Sequence, residues 1–225
     1  MRLSKSLELL AYSHSSVMKK YLTEFIGAFF LVFTVGMCVI KPDAGSFAPL
    51  AIGSALMIMV YAGGHISGGH YNPAVTLAVW LRGRCAGADV PGYILAQAIG
   101  AVAAGALALY FKGSPEMLPG DLKTVPSLVA EAVGTFALCY VVLNVATAKL
   151  AAGNSYFGLA IGFTVTTMAF AVGGVSGGAF NPAVALGLAV MHIAKAGNLW
   201  IFWLAEFSAA ALAAAVFCYV HPDDK

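Results

Sequence analysis

The chain has 225 residues, of which 60% are hydrophobic and only 10% charged, and its mean hydropathy is +0.86. Soluble domains are far less apolar, so the sequence reads as an integral membrane protein. A net charge of +2 gives no basic surface for nucleic acid, and Cys38, Cys85, Cys139 and Cys218 lie too far apart to suggest a metal or redox pair. They are expected to be packing residues.

Residues 1–20 are polar and basic, although Leu3, Leu7 and Leu10 share a helical face. They suggest a short helix on the cytoplasmic interface or, equally, a disordered tail, and they lack the apolar core of a cleaved signal peptide. The first repeat occupies 21–111. Its spans are expected at about Tyr21–Ile40, Phe47–Gly64 and Val90–Phe111, each near the twenty residues that a bilayer core requires. Between the second and third lies Pro73–Leu81, whose nine residues reach only about 14 Å as a helix. Arg82 and Arg84 then mark water, so this segment enters and returns on one side. A polar connection, 112–125, precedes the second repeat at 126–220. There the expected spans are Pro126–Ala148, Ser155–Val172 and Asn198–Val220, with a second half-helix at 182–192 and a short tail at 221–225.

The division into repeats comes from a duplicated stretch. His65–Val79 reads H-I-S-G-G-H-Y-N-P-A-V-T-L-A-V, and Gly174–Leu188 reads G-V-S-G-G-A-F-N-P-A-V-A-L-G-L, with Asn181 lying 109 residues beyond Asn72. Each copy breaks an apolar segment at glycines and restarts with Asn-Pro-Ala. Asn is a preferred N-cap, and Pro suits the first helical position, where no donor is needed. Leu50-Ala-Ile-Gly matches Leu159-Ala-Ile-Gly and Gln97 matches Glu206 at the same offset, while Glu24-Phe-Ile-Gly matches Glu131-Ala-Val-Gly at 107. Three spans per repeat is an odd number, so the halves must be inverted in the membrane. Paired, glycine- and proline-interrupted segments in inverted halves point to a transport site. With both termini cytoplasmic, eight Lys and Arg fall inside and four outside, as the positive-inside rule favours.

Inversion brings the N-termini of the two half-helices, each about half a positive charge, toward one another near the midplane. That makes a barrier to cations and protons. If Asn72 and Asn181 cap their helices through oxygen, their amide NH2 groups face the pore and interrupt a proton-conducting water chain. The Ser-Gly-Gly segments offer backbone carbonyls to solutes from Gly68, Gly69 and Gly177, and such irregular backbone is tolerable at depth only beside water or buried in protein. Buried carboxylates at Glu24, Glu131 and Glu206 also allow a different class of function, a proton- or ion-coupled solute transporter. A junction protein without transport is a third class. No nucleophile, base and orienting group converge, so enzyme function has no support. No cofactor or metal is expected.

On these motifs, above all H-I-S-G-G-H-Y-N-P-A-V-T, the chain between about Lys20 and Val220 resembles the aquaporin, or major intrinsic protein, family. The resemblance implies an all-α membrane protein with six transmembrane helices and two re-entrant half-helices, a pore in each subunit, and a homotetramer in an inner or plasma membrane. It implies that Asn72, Pro73, Ala74, Asn181, Pro182 and Ala183 form the midplane site, that Glu24 and Glu131 hold the pore loops, and that His70 braces the first loop. By position the outer filter maps to Ile52, Ala169, Gly178 and Val184. Here the chain departs from the family, which usually places Arg directly after the second Asn-Pro-Ala. The filter is therefore expected to be wide, apolar and poor in donors, passing water and small neutral solutes such as glycerol, urea or metalloid hydroxides. Glu206 stands where an uncharged residue is usual, and its sequence context names no partner.

Overall fold

Alternation of apolar runs with glycine breaks becomes eight α-helices in a computed structural model that describes residues 2–41, 44–115 and 121–224, with side chains from Val17 onward. They are α1 (Arg2–Val39), α2 (Ala48–Ser67), α3 (Pro73–Leu81), α4 (Val90–Lys112), α5 (Thr124–Val142), α6 (Phe157–Ser176), α7 (Pro182–Val190) and α8 (Leu199–Val220). Six helical stretches among the described residues are long and apolar enough to cross a bilayer, from Val17–Val39 to Ala196–Val220. α3 and α7, nine residues each, are too short to do so. The interfacial face expected from Leu3, Leu7 and Leu10 lies outside the residues whose side chains are described.

Packing repeats across the two halves. α1 lies against α4 and α2, as α5 lies against α8 and α6. Each half-helix then crosses over: α3 packs chiefly on α8 and α7 chiefly on α4, the third span of the opposite half. The halves also meet where α2 crosses α6. A Cβ on Gly53 would stand 2.5 Å from the Gly162 carbonyl oxygen, and one on Gly162 would stand 2.4 Å from that of Gly53. Only glycine at both positions lets the backbones touch. In lipid, where apolar side chains gain nothing from leaving water, such close packing of small residues is what holds helices together. Ala101, Ala104, Ala108, Ala210 and Ala213, all fully buried, serve the other crossings, while Leu22, Ile26, Phe30, Leu95, Ile99 and Leu212 point outward.

Several boundaries differ from the sequence expectation for physical reasons. α2 and α6 run on to Ser67 and Ser176, because Gly68 (φ 93°) and Gly177 (φ 100°) cap them in the left-handed region that glycine enters freely. α7 stops at Val190 rather than residue 192: His192 turns left-handed (φ 59°) and the Ile193 amide donates back to the Leu188 carbonyl. Gly83 (φ 84°) closes α3 in the same way. α5 ends at Val142 and continues as one wider π-type turn, Leu143–Thr147.

Candidate functional site

Each pore loop begins with the serine that ends a span. In the first, Glu24 of α1 reaches across so that Oε1 accepts from Ser67 Oγ (2.6 Å) and the His70 amide (3.0 Å), and Oε2 accepts from the Tyr71 amide (2.7 Å). In the second, Glu131 Oε1 accepts from Ser176 Oγ (2.6 Å) and the Ala179 amide (3.0 Å), and Oε2 from the Phe180 amide (2.7 Å). Tyr71 and Phe180 are held at φ 51° and 49°, a conformation that ordinary side chains avoid and that the surroundings must impose. Their rings lie on glycines of the helix carrying the glutamate. A Cβ on Gly27 would come within 2.1 Å of the Tyr71 ring, and one on Gly134 within 2.2 Å of the Phe180 ring.

With the amides turned toward the carboxylates, no donor among the described residues meets the carbonyl oxygens of Gly68, Gly69 and His70, or of Gly177, Gly178 and Ala179. These residues border two cavities. One, of about 500 Å³, is lined by Gly69, His70, Gly177, Asn72 and Asn181, and also by Ile52, Ala169, Gly178 and Val184. The other, of about 890 Å³, opens on the side of the chain termini past Gly68, His70, Lys20, Arg84 and Lys149. His70 lines both and so stands between them. All four positions expected at the filter therefore face one cavity, and none of them carries a charge or an aromatic ring. Phe202 of α8 borders it as well.

The Asn caps tie the halves together. Asn72 Oδ1 accepts from the amides of Ala74 (2.8 Å) and Val75 (3.4 Å), and Asn181 Oδ1 from those of Ala183 (2.9 Å) and Val184 (3.4 Å). Oxygen being fixed on the helix side, each Nδ2 points away. Asn72 Nδ2 donates to the Phe180 carbonyl (2.9 Å) and Asn181 Nδ2 to the Tyr71 carbonyl (3.0 Å). One amide hydrogen of each thus bridges to the opposite loop, which leaves the other for the cavity. Sequence reasoning assigned these groups to the pore alone and missed the bridges.

The first loop carries a further network. Gln97 Nε2 donates to Glu24 Oε2 (2.8 Å) and to Thr76 Oγ1 (3.0 Å), while Thr76 Oγ1 donates to the Asn72 carbonyl (3.0 Å). That hydroxyl has only one hydrogen, so His70 Nδ1, 3.2 Å away, must be the donor in their contact. Tyr93 packs against the His70 ring at 5.2 Å and donates from its hydroxyl to the Ser67 carbonyl (2.7 Å). Tyr93 carried no signal in the sequence and Thr76 stood there only as the last residue of the motif, without a role, whereas Gln97 stood out through its match to Glu206. Among the described residues no group of His, Cys, Asp and Glu could hold a metal.

Two half-helices whose positive ends meet at a cavity, inside inverted three-span repeats, define a membrane channel. The chain belongs to the major intrinsic protein family, whose model matches residues 11–217. It is 41% identical to "Aquaporin NIP1-1" of Zea mays over 194 residues, 82% of this chain and 68% of that protein. It is 40% identical to "Glycerol uptake facilitator protein-like 6" of Lactiplantibacillus plantarum over 213 residues, 89% of this chain and 96% of the other. Its fold matches the X-ray structure of the aquaglyceroporin from Plasmodium falciparum with a TM-score of 0.73 and 20% identity, over 92% of this chain and 96% of that one.

Proposed function

We propose that the chain passes water and small uncharged solutes, glycerol and urea among them, through a wide apolar filter at Ile52, Ala169, Gly178 and Val184. The observation that carries this reading is the filter itself: four positions without a charge or ring border the same cavity as both Asn caps. Neutral metalloid hydroxides fall within the same solute class. Ions are excluded at the midplane, where the positive ends of α3 and α7 and the free amide hydrogens of Asn72 and Asn181 converge. Glu24 and Glu131 position the loops, His70 braces the first of them, and the carbonyls of Gly68, Gly69 and Gly177 replace water around the solute. The repeats are 21–111 and 126–220, and the chain works as a homotetramer in an inner or plasma membrane with both termini cytoplasmic.

The coupled-transporter reading is not favoured. The carboxylates of Glu24 and Glu131 are occupied by loop donors, and the family is one of channels. Stopped-flow light scattering on proteoliposomes tests the proposal by comparing water, glycerol and urea in one preparation. Substantial glycerol or urea flux, linear in gradient and without current, is expected. Fast water flux with negligible glycerol flux would overturn the wide filter.

A further inference from the structure

Gln97 and Glu206 occupy matching places in the two halves, yet one is an amide and the other an acid. Gln97 uses its NH2 to donate to the loop carboxylate Glu24 (2.8 Å). Glu206, wholly buried in α8, accepts the Asn181 amide on Oε1 (2.8 Å), and Glu131 Oε2 accepts the preceding amide, that of Phe180 (2.7 Å), so the two carboxyls lie side by side. Its Oε2 has no donor among the described residues. Two ionised carboxylates side by side in this interior would repel, and neither α8 nor the elements packed against it carry a basic side chain to offset them. The ionisable side chains of α5 are Glu131, Cys139 and Tyr140, none of them basic. The other elements packed against α8, namely α3, α7, the turn at Leu143–Thr147 and that at Ala196–Asn198, contain no ionisable side chain.

We propose that Glu206 is a positioning residue that acts as a neutral acid: its Oε2–H donates to the Glu131 carboxylate while its Oε1 accepts the Asn181 amide. In this state it reproduces the donor and acceptor pattern of a glutamine. The pair carries one proton and one negative charge, and Glu131 keeps its two oxygens for the Ser176, Ala179 and Phe180 donors. The Asn181 backbone, and with it the second half-helix, is thereby held in register. Raising the pH removes the shared proton, sets two carboxylates against each other and loosens the second loop alone.

This inference rests on the channel reading, and the test separates the two. Infrared spectra of the reconstituted protein at neutral pH are expected to show the carbonyl band of a protonated carboxylic acid, lost in Glu206→Gln. In the same vesicles Glu206→Gln is expected to keep water flux within about two-fold of the parent, and Glu206→Leu to lower it roughly ten-fold through the buried Asn181 amide it strands. Parent flux falls at alkaline pH and that of Glu206→Gln does not. Absence of the band in the parent, or a Gln variant as slow as the Leu variant, overturns the proposal. A parent that conducts neither water nor glycerol removes the channel reading instead, while the spectrum still decides the proton.

Discussion

The two pore loops share a skeleton and differ in their supports. Serine, carboxylate and two loop amides meet at nearly the same distances in both, and the Asn caps superimpose in kind. Around the first loop, however, His70, Thr76, Gln97 and Tyr93 add a buried network. Around the second, the matching places of His70, Thr76 and Gln97 hold Ala179, Ala185 and Glu206. Loop shape thus rests on the serine, the glutamate and the asparagine that both loops share. The additional groups decide how firmly that shape is kept, and the second loop relies on one residue where the first has several.

The severest break is at the contact that joins the halves. Gly162→Leu would drive a side chain against the Gly53 carbonyl, and backbone cannot yield as a side chain does. Destabilisation of about 3 kcal/mol or more is expected, since overpacking costs at that scale. Size-exclusion profiles of the solubilised protein should show loss of the native peak, and Gly53→Leu should do the same from the other side. Next come the carboxylates. Glu131→Leu leaves one hydroxyl and two amides of the second loop without an acceptor, at about 1–3 kcal/mol for each buried group. Glu24→Leu removes the matching three and the bond from Gln97, but the first loop keeps Tyr93 on Ser67, Thr76 on Asn72 and Gln97 on Thr76. Water flux should fall in both and further in Glu131→Leu. Equal loss would mean that the extra network adds no rigidity.

The filter offers a narrower test. Val184 and Val75 are repeat mates, and both face the cavity. Val184→Arg makes the halves unequal by adding a long donor at the second position alone. Glycerol flux is expected to drop by about ten-fold and water flux by less, since the added group acts mainly through width and fixed charge. Equal loss of both would count against Val184 as a filter position.

What the sequence displayed well was what repeats or punctuates. Asn-Pro-Ala after Ser-Gly-Gly announced a cap and a restart, and apolar runs of bilayer length announced the spans. What it hid depends on residues brought together only by the fold. The bond from Asn72 to Phe180 joins positions 108 apart. The partner of Glu206 was invisible because a carboxyl that meets another carboxyl has no signature in spacing. His192 gave no hint of a left-handed turn, which Gly83 advertises by lacking a Cβ, because tertiary packing rather than propensity imposes it. Arg82 read as a marker of water, yet it is 5% exposed.

That arginine supports the mildest prediction, and it again sets the halves apart. Its repeat mate is Met191, a buried apolar side chain at the end of α7. At the end of α3, Arg82 instead donates from Nε to Thr147 Oγ1 (2.8 Å), and from Nη2 to Asp224 Oδ1 (2.8 Å) and the Thr147 carbonyl (3.1 Å). Its guanidinium also lies over the Phe217 ring at 4.6 Å. Asp224 in turn accepts the Lys149 amide on Oδ2 (2.7 Å), so the C-terminal turn closes on the first half-helix. The Lys149 amide above all, with the Arg82 guanidinium, holds the Asp224 carboxyl below the usual carboxylate range. A carboxylate with a lowered folded-state pKa stabilises above its unfolded value and loses that contribution as pH falls through the lowered one. Asp224→Asn should therefore lower the midpoint of thermal unfolding by about 2–4 °C at neutral pH, the shift expected of a modest loss in a chain of this size. The gap between variant and parent should close on acidification, as the parent's carboxyl takes up its proton. A gap that persists unchanged into strong acid would mean that the latch works through shape and not through charge.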